Sequence, residues 1–159
     1  MIWVARLVWL LLVTGAVMVQ FAAPGVLGIG AFAPDLPLLS ALVFAILARP
    51  IGGAVAGWYM GTLTGLLAGA DLAAHSLAAC LAGFALSWPG ERGINVTAPV
   101  FAALVALGTI VHGVLFVLLA PSSGLGGFLQ DTILAAVYNG VLAFPIGVVA
   151  HKAFCRPMP

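Results

Sequence analysis

Gly53-Ala-Val-Ala-Gly57-Trp-Tyr-Met-Gly61-Thr-Leu-Thr-Gly65-Leu-Leu-Ala-Gly69 sets a glycine at every fourth position. An interior glycine costs a helix about 1 kcal/mol relative to alanine. Residues at i, i+4 and i+8 share one stripe of a helix, drifting about 40° per step. Without side chains, that stripe lets another helix backbone come close. Lipid tails offer no hydrophobic drive between helices, so close packing has to supply the association. The stretch therefore reads as a membrane helix with one packing face, and Gly53, Gly57, Gly61, Gly65 and Gly69 are the candidates for it. Two partners fit. One is a helix of the same chain, for which Ala73, Ala74, Ala78, Ala79, Ala82 and Gly83 are suitably small. The other is a transmembrane helix of a partner protein.

The composition agrees with a membrane class. Of 159 residues, 64% are apolar and 6% are charged, against about 25% charged in an ordinary soluble domain. So few charges cannot cover a water-soluble surface, and the chain is expected to be one all-α integral membrane domain, residues 1–159. The net charge of +1 argues against a nucleic-acid surface. Cys80 and Cys155 are far apart and neither has a partner at metal-ligand spacing, so neither a disulfide nor a zinc site is expected. Asn95-Val-Thr97 fits a glycosylation sequon, a weak match that the orientation below puts on the wrong side.

A bilayer core about 30 Å thick needs about 20 apolar helical residues. Six stretches qualify, at about 3–21, 36–48, 51–68, 72–88, 98–120 and 129–150. The first has small residues, Ala22-Ala23, behind it, as a signal peptide would. Its apolar run is longer than an ordinary signal core and further spans follow directly, so a retained helix is expected. The second is short unless Arg49 snorkels and the apolar connection 24–33 also lies at membrane depth. With the N-terminus inside, all five basic residues (Arg6, Arg49, Arg92, Lys152 and Arg156) fall on the cytoplasmic side, and both termini are cytoplasmic. Asp35, Asp71 and Asp131 then fall outside, each just before an even-numbered span, where a carboxylate caps free N–H groups and faces the positive end of the helix dipole. Only Glu91 joins the inner group.

His75 and His112 lie within spans four and five, and an intramembrane histidine invites a functional reading. No Cys, Asp or Glu stands at ligand spacing, so an interhelical hydrogen bond is the expected role; His151 is expected at the interface. His75 and Ser76 are adjacent, so their side chains diverge by about 100° on a helix and do not suit a catalytic dyad. No nucleophile–base pair, phosphate loop or paired carboxylates occur, and no catalytic centre, metal or cofactor is expected. In span six, Asn139 needs a partner in lipid and should point into the bundle. Gly140 is a further packing candidate, and Pro145 frees a backbone carbonyl and is expected to kink the helix.

Several motifs, taken in order, resemble the MreD family of rod shape-determining membrane proteins. They are Phe32-Ala-Pro34-Asp35-Leu36, Arg49-Pro50, Gly57-Trp-Tyr-Met-Gly61, Gly69 and Leu72, and Asn139-Gly140-Val-Leu142 followed by Pro145. The likeness covers about residues 1–153. It departs where the family often has an acid and this chain has Gly65, and where the family has a glycine and this chain has Ala73. If that acid contacts a partner in relatives, this chain uses another device.

The resemblance implies a non-enzymatic scaffold of the machinery that inserts side-wall peptidoglycan in the bacterial inner membrane. It would bind an MreC-like bitopic protein and, through it, MreB and RodA with its class B penicillin-binding protein. It also implies a fold similar to the substrate-binding S-components of ECF vitamin transporters. That keeps a second function open, a small-molecule-binding transport subunit, although the outer loops are short and poor in hydrogen-bonding side chains.

Overall fold

A computed structural model describes residues 2–22, 34–69, 71–92, 96–120 and 125–154, with side chains described at 7–22, 34–69, 71–89, 92, 96–120 and 130–149. Asn95, Cys155 and Arg156, the connection 24–33 and positions 121–124 lie outside the described residues, as do the side chains of Arg6, Glu91, His151 and Lys152. The described chain is all-helical: α1 (Ile2–Ala22), α2 (Leu36–Leu47), α3 (Pro50–Ala68), α4 (Leu72–Glu91), α5 (Ala98–Leu119) and α6 (Leu125–Phe154).

The helix boundaries follow from local chemistry. Asp35 caps α2, its carboxylate accepting the Leu38 N–H at 3.0 Å. A residue before proline is pushed out of the helical region. Arg49, before Pro50, is accordingly extended at φ −75° and ψ 158°, which separates α2 from α3. Gly69 ends α3 in the left-handed conformation at φ 67° and returns its N–H to the Gly65 carbonyl, as helix-terminating glycines do. Pro89 and Pro145 are carried inside the continuous α4 and α6.

Among the described residues, four helical segments are long and apolar enough to cross a membrane: Pro50–Ala68, Leu72–Pro89, Ala98–Leu119 and Gln130–Val149. The chain is a multi-pass membrane protein by that measure. One of the six expected spans is shorter here: helix α2 has 12 residues, which rise only about 18 Å. Helix α1 runs over 21 residues, Ile2–Ala22. Large apolar side chains face outward around the bundle, among them Ile51 at 78% exposed and Leu118 at 71%. Water would not tolerate such a surface; hydrocarbon does.

Successive helices run in opposite directions. Gly53 meets Gly83 and Ser87, Gly57 meets Ala79, Gly61 meets His75 and Gly65 meets Leu72, so α3 and α4 are antiparallel. Gly113 beside Thr132 and Gly147 beside Phe101 give the same relation for α5 and α6. The alternation gathers Asp35, Asp71 and Asp131 at one end of the bundle and Arg49 and Arg92 at the other. Between the ends, Val13, Val17, Leu38, Leu42, Ile46, Phe101 and Val105 form the dry core.

Candidate functional site

The glycine stripe is occupied within the chain. A Cβ on Gly57 would collide with the Ala79 carbonyl, and one on Gly61 with the His75 carbonyl. These are backbone atoms of a packed helix, which cannot move aside cheaply. Ser87 turns its hydroxyl to the Gly83 carbonyl at 2.7 Å, which satisfies the serine beside the crossing. Thr62 and Ser76 add a hydroxyl–hydroxyl bond of 3.0 Å across the same pair of helices. Gly69 is not part of this face. Among the described residues nothing lies within 4 Å of where its Cβ would be, and its positive φ explains the glycine instead. A run of equal spacings thus contains four packing residues and one terminator. Gly140 packs on α5, facing Ala106 and the Ala102 carbonyl.

The residues before α2 and those in mid-α6 meet. The Asp35 backbone N–H donates to Asn139 Oδ1 at 3.2 Å. Asn139 Nδ2 donates to Thr109 Oγ1 at 3.2 Å, and Thr109 donates to the Val105 carbonyl at 3.0 Å. Asn139 is 0% exposed and Pro34 is also fully buried. One amide therefore ties the start of α2 to the middles of α5 and α6. Burial pushes the Asp35 carboxyl above the ordinary carboxylate range, and the Leu38 N–H offsets part of that shift.

Beside this network lies a cavity of about 220 Å³ at the aspartate end. Its polar lining comes from three helices, α4, α5 and α6, and the cap of α2: Asp35, His75, Thr109, His112, Asp131 and Thr132. Phe116 forms an aromatic wall, with the His75 ring at 4.5 Å and the His112 ring at 6.4 Å from its centroid. Sequence reasoning assigned His112 an interhelical hydrogen bond. Among the described residues its ring instead lies beside that of Phe116, one turn further along the same helix α5.

Nor do the aspartates act alike. Asp35 is a cap, whereas Asp131 lies in the second turn of α6, which begins six residues earlier at Leu125. Asp71 sits at φ 47° before α4 and accepts the His75 N–H through its backbone carbonyl at 3.0 Å. His75 and Ser76 point apart, Ser76 bonding back to the Leu72 carbonyl at 2.7 Å. Thr109, Thr132 and Phe116 escaped the sequence reading. Their types are ordinary in membrane helices, and only the relative rotation of α5 and α6 brings them to one cavity.

The lining combines acceptors, donors and an aromatic face, so it can hold water or a small polar group. Among the described residues, no three His, Cys, Asp or Glu side chains are placed to hold a metal ion together. Cys80 is a half-buried free thiol on α4.

No protein-family model, curated protein or solved structure matches the chain.

Proposed function

We propose that the chain is an MreD-like, non-enzymatic scaffold of the bacterial cell-elongation complex. It would sit in the inner membrane with both termini in the cytoplasm and bind an MreC-like bitopic partner, helping to place side-wall peptidoglycan synthesis through MreB and RodA with its penicillin-binding protein. The observation that supports this reading best is the bond between Asp35 and Asn139. These residues carry the first and last motifs of the resemblance, and a fold that needs both to close its bundle gives those motifs a physical reason to occur together. Because the glycine stripe is filled by α4, the partner would use another face of the protein.

The cavity at the aspartate end favours a second reading, the binding subunit of an ECF-type micronutrient transporter. Its volume, about 220 Å³, is below the roughly 300–1,000 Å³ of most small-molecule sites. The scaffold is therefore the stronger proposal. Affinity purification from gently solubilised membranes tests it. Recovery of a bitopic coiled-coil periplasmic protein, with loss of rod shape on depletion, is the expected result. Recovery of ATPase subunits, with loss of micronutrient uptake and normal shape, would replace it with the transport reading.

A further inference from the structure

At the opposite end of the bundle, α1, α2 and α3 enclose a half-open groove of about 610 Å³. Its walls are apolar: Phe44 from α2, Val55 and Ala56 from α3, and Trp9 and Leu10 from α1. The rings of Trp9 and Phe44 lie 4.3 Å apart and form its back. Its mouth is different. Arg49, exposed and outside any ion pair among the described residues, stands there with Ile51 and Gly52. The first backbone bond of α3 runs from the Gly53 N–H to the Arg49 carbonyl. The N–H groups of Ile51 and Gly52 come before it and have no intrahelical acceptor. The guanidinium and the positive end of the α3 dipole therefore act at one point.

We infer that this groove binds an anionic phospholipid, its phosphate at Arg49 and the N-terminus of α3, and the upper part of one acyl chain along Phe44, Val55 and Ala56. The charge at the mouth and the apolar walls complement the two halves of such a molecule. The spacing agrees: Arg49 to Ala56 is seven residues, about 10 Å along the helix axis, enough for a glycerol ester and the first several methylenes. Among the described residues no acidic side chain lines the groove, so none of them would receive the ammonium of a zwitterionic headgroup, and a net negative lipid is preferred. The Trp9 indole nitrogen is buried without a hydrogen-bond partner among the described residues. With the orientation expected from the basic residues, the mouth opens on the cytoplasmic leaflet, whose surface is anionic.

The test uses the full-length protein in detergent, titrated with phosphatidylglycerol or with phosphatidylcholine of identical acyl chains, and read by native mass spectrometry and thermal shift. Phosphatidylglycerol should bind about fivefold more tightly, the preference expected of one basic residue near a lipid surface. Arg49→Gln should abolish the preference, and Arg49→Lys should keep most of it. Val55→Trp, at a position with a 57% exposed side chain, should fill the groove and weaken both lipids without unfolding the protein. Equal binding of the two lipids by the unsubstituted protein overturns the inference, whether or not Arg49→Gln folds. So does equal stabilisation by glycerol phosphate, which has the headgroup charge and no chains.

Discussion

The Asp35 backbone N–H and the Asn139 side-chain oxygen are 104 residues apart in sequence and 3.2 Å apart in space. Asn139 completes the contact by donating to Thr109, so a single amide serves three helices at a point no water reaches. Removing one member of such a network leaves the others unsatisfied, at roughly 1–3 kcal/mol each.

Asn139→Leu should therefore destabilise the protein by about 2–3 kcal/mol, and Thr109→Val by about 1–2 kcal/mol. The double variant should cost clearly less than the two together, because the second change removes a partner already lost. Reversible unfolding in mixed micelles measures all three. Strict additivity would show that the two side chains do not interact.

Three glycines of one chain should respond in three ways to alanine. Gly61→Ala forces a methyl against the His75 carbonyl, and the helices must separate, at about 1–3 kcal/mol. Gly69→Ala meets open space but must hold φ 67°, costing about 1–2 kcal/mol. Gly15→Ala, on α1, meets nothing within 4 Å among the described residues and should be neutral or stabilising by up to about 1 kcal/mol. Thermal unfolding of the purified variants ranks them. A silent Gly61→Ala would mean that α3 and α4 are not in backbone contact.

At Asp35 the side chain's capping role and its charge can be separated. Asp35→Asn keeps an acceptor for the Leu38 N–H and removes the burial of a carboxylate, whereas Asp35→Ala loses the cap at about 1 kcal/mol. Burial raises the carboxyl's affinity for its proton in the folded state. The folded protein then binds more protons than the unfolded chain just above the ordinary aspartate pKa, and this group's contribution to stability falls as pH rises through its raised folded value. Stability curves of wild type and Asp35→Asn should diverge over that range, with the asparagine variant ahead at the higher pH. Parallel curves would place the carboxylate in solvent.

The orientation has its own test. Single cysteines at Ser123 and Gly90, in a background with Cys80 and Cys155 replaced, should differ in intact cells. An impermeant maleimide should modify the first and not the second, because the orientation proposed from the basic residues puts position 90 in the cytoplasm. Labelling at position 90 would reverse the topology.

Much of the architecture could be read directly from the chain. Sparse charge dictates a lipid-facing fold, since a surface cannot be hydrated without polar groups. Pro50 and Pro99 sit in the first turn of α3 and α5, where a missing N–H costs nothing, and Asp35 starts α2 by supplying an acceptor. Four glycines in period mark a packing face because each is on the same side of one helix. These are local properties, decided by a residue and its near neighbours. Only the tertiary structure decides the rest. It shows that Gly69 is a terminator, since φ does not appear in a spacing. It shows that α4 covers the stripe, since small residues invite any close helix equally. It also brings His112, Thr132 and Asp35 around one cavity, and Arg49 to the mouth of another. Both cavities depend on how helices rotate and slide against one another, and that is settled by the packing of all six together, which no single segment encodes.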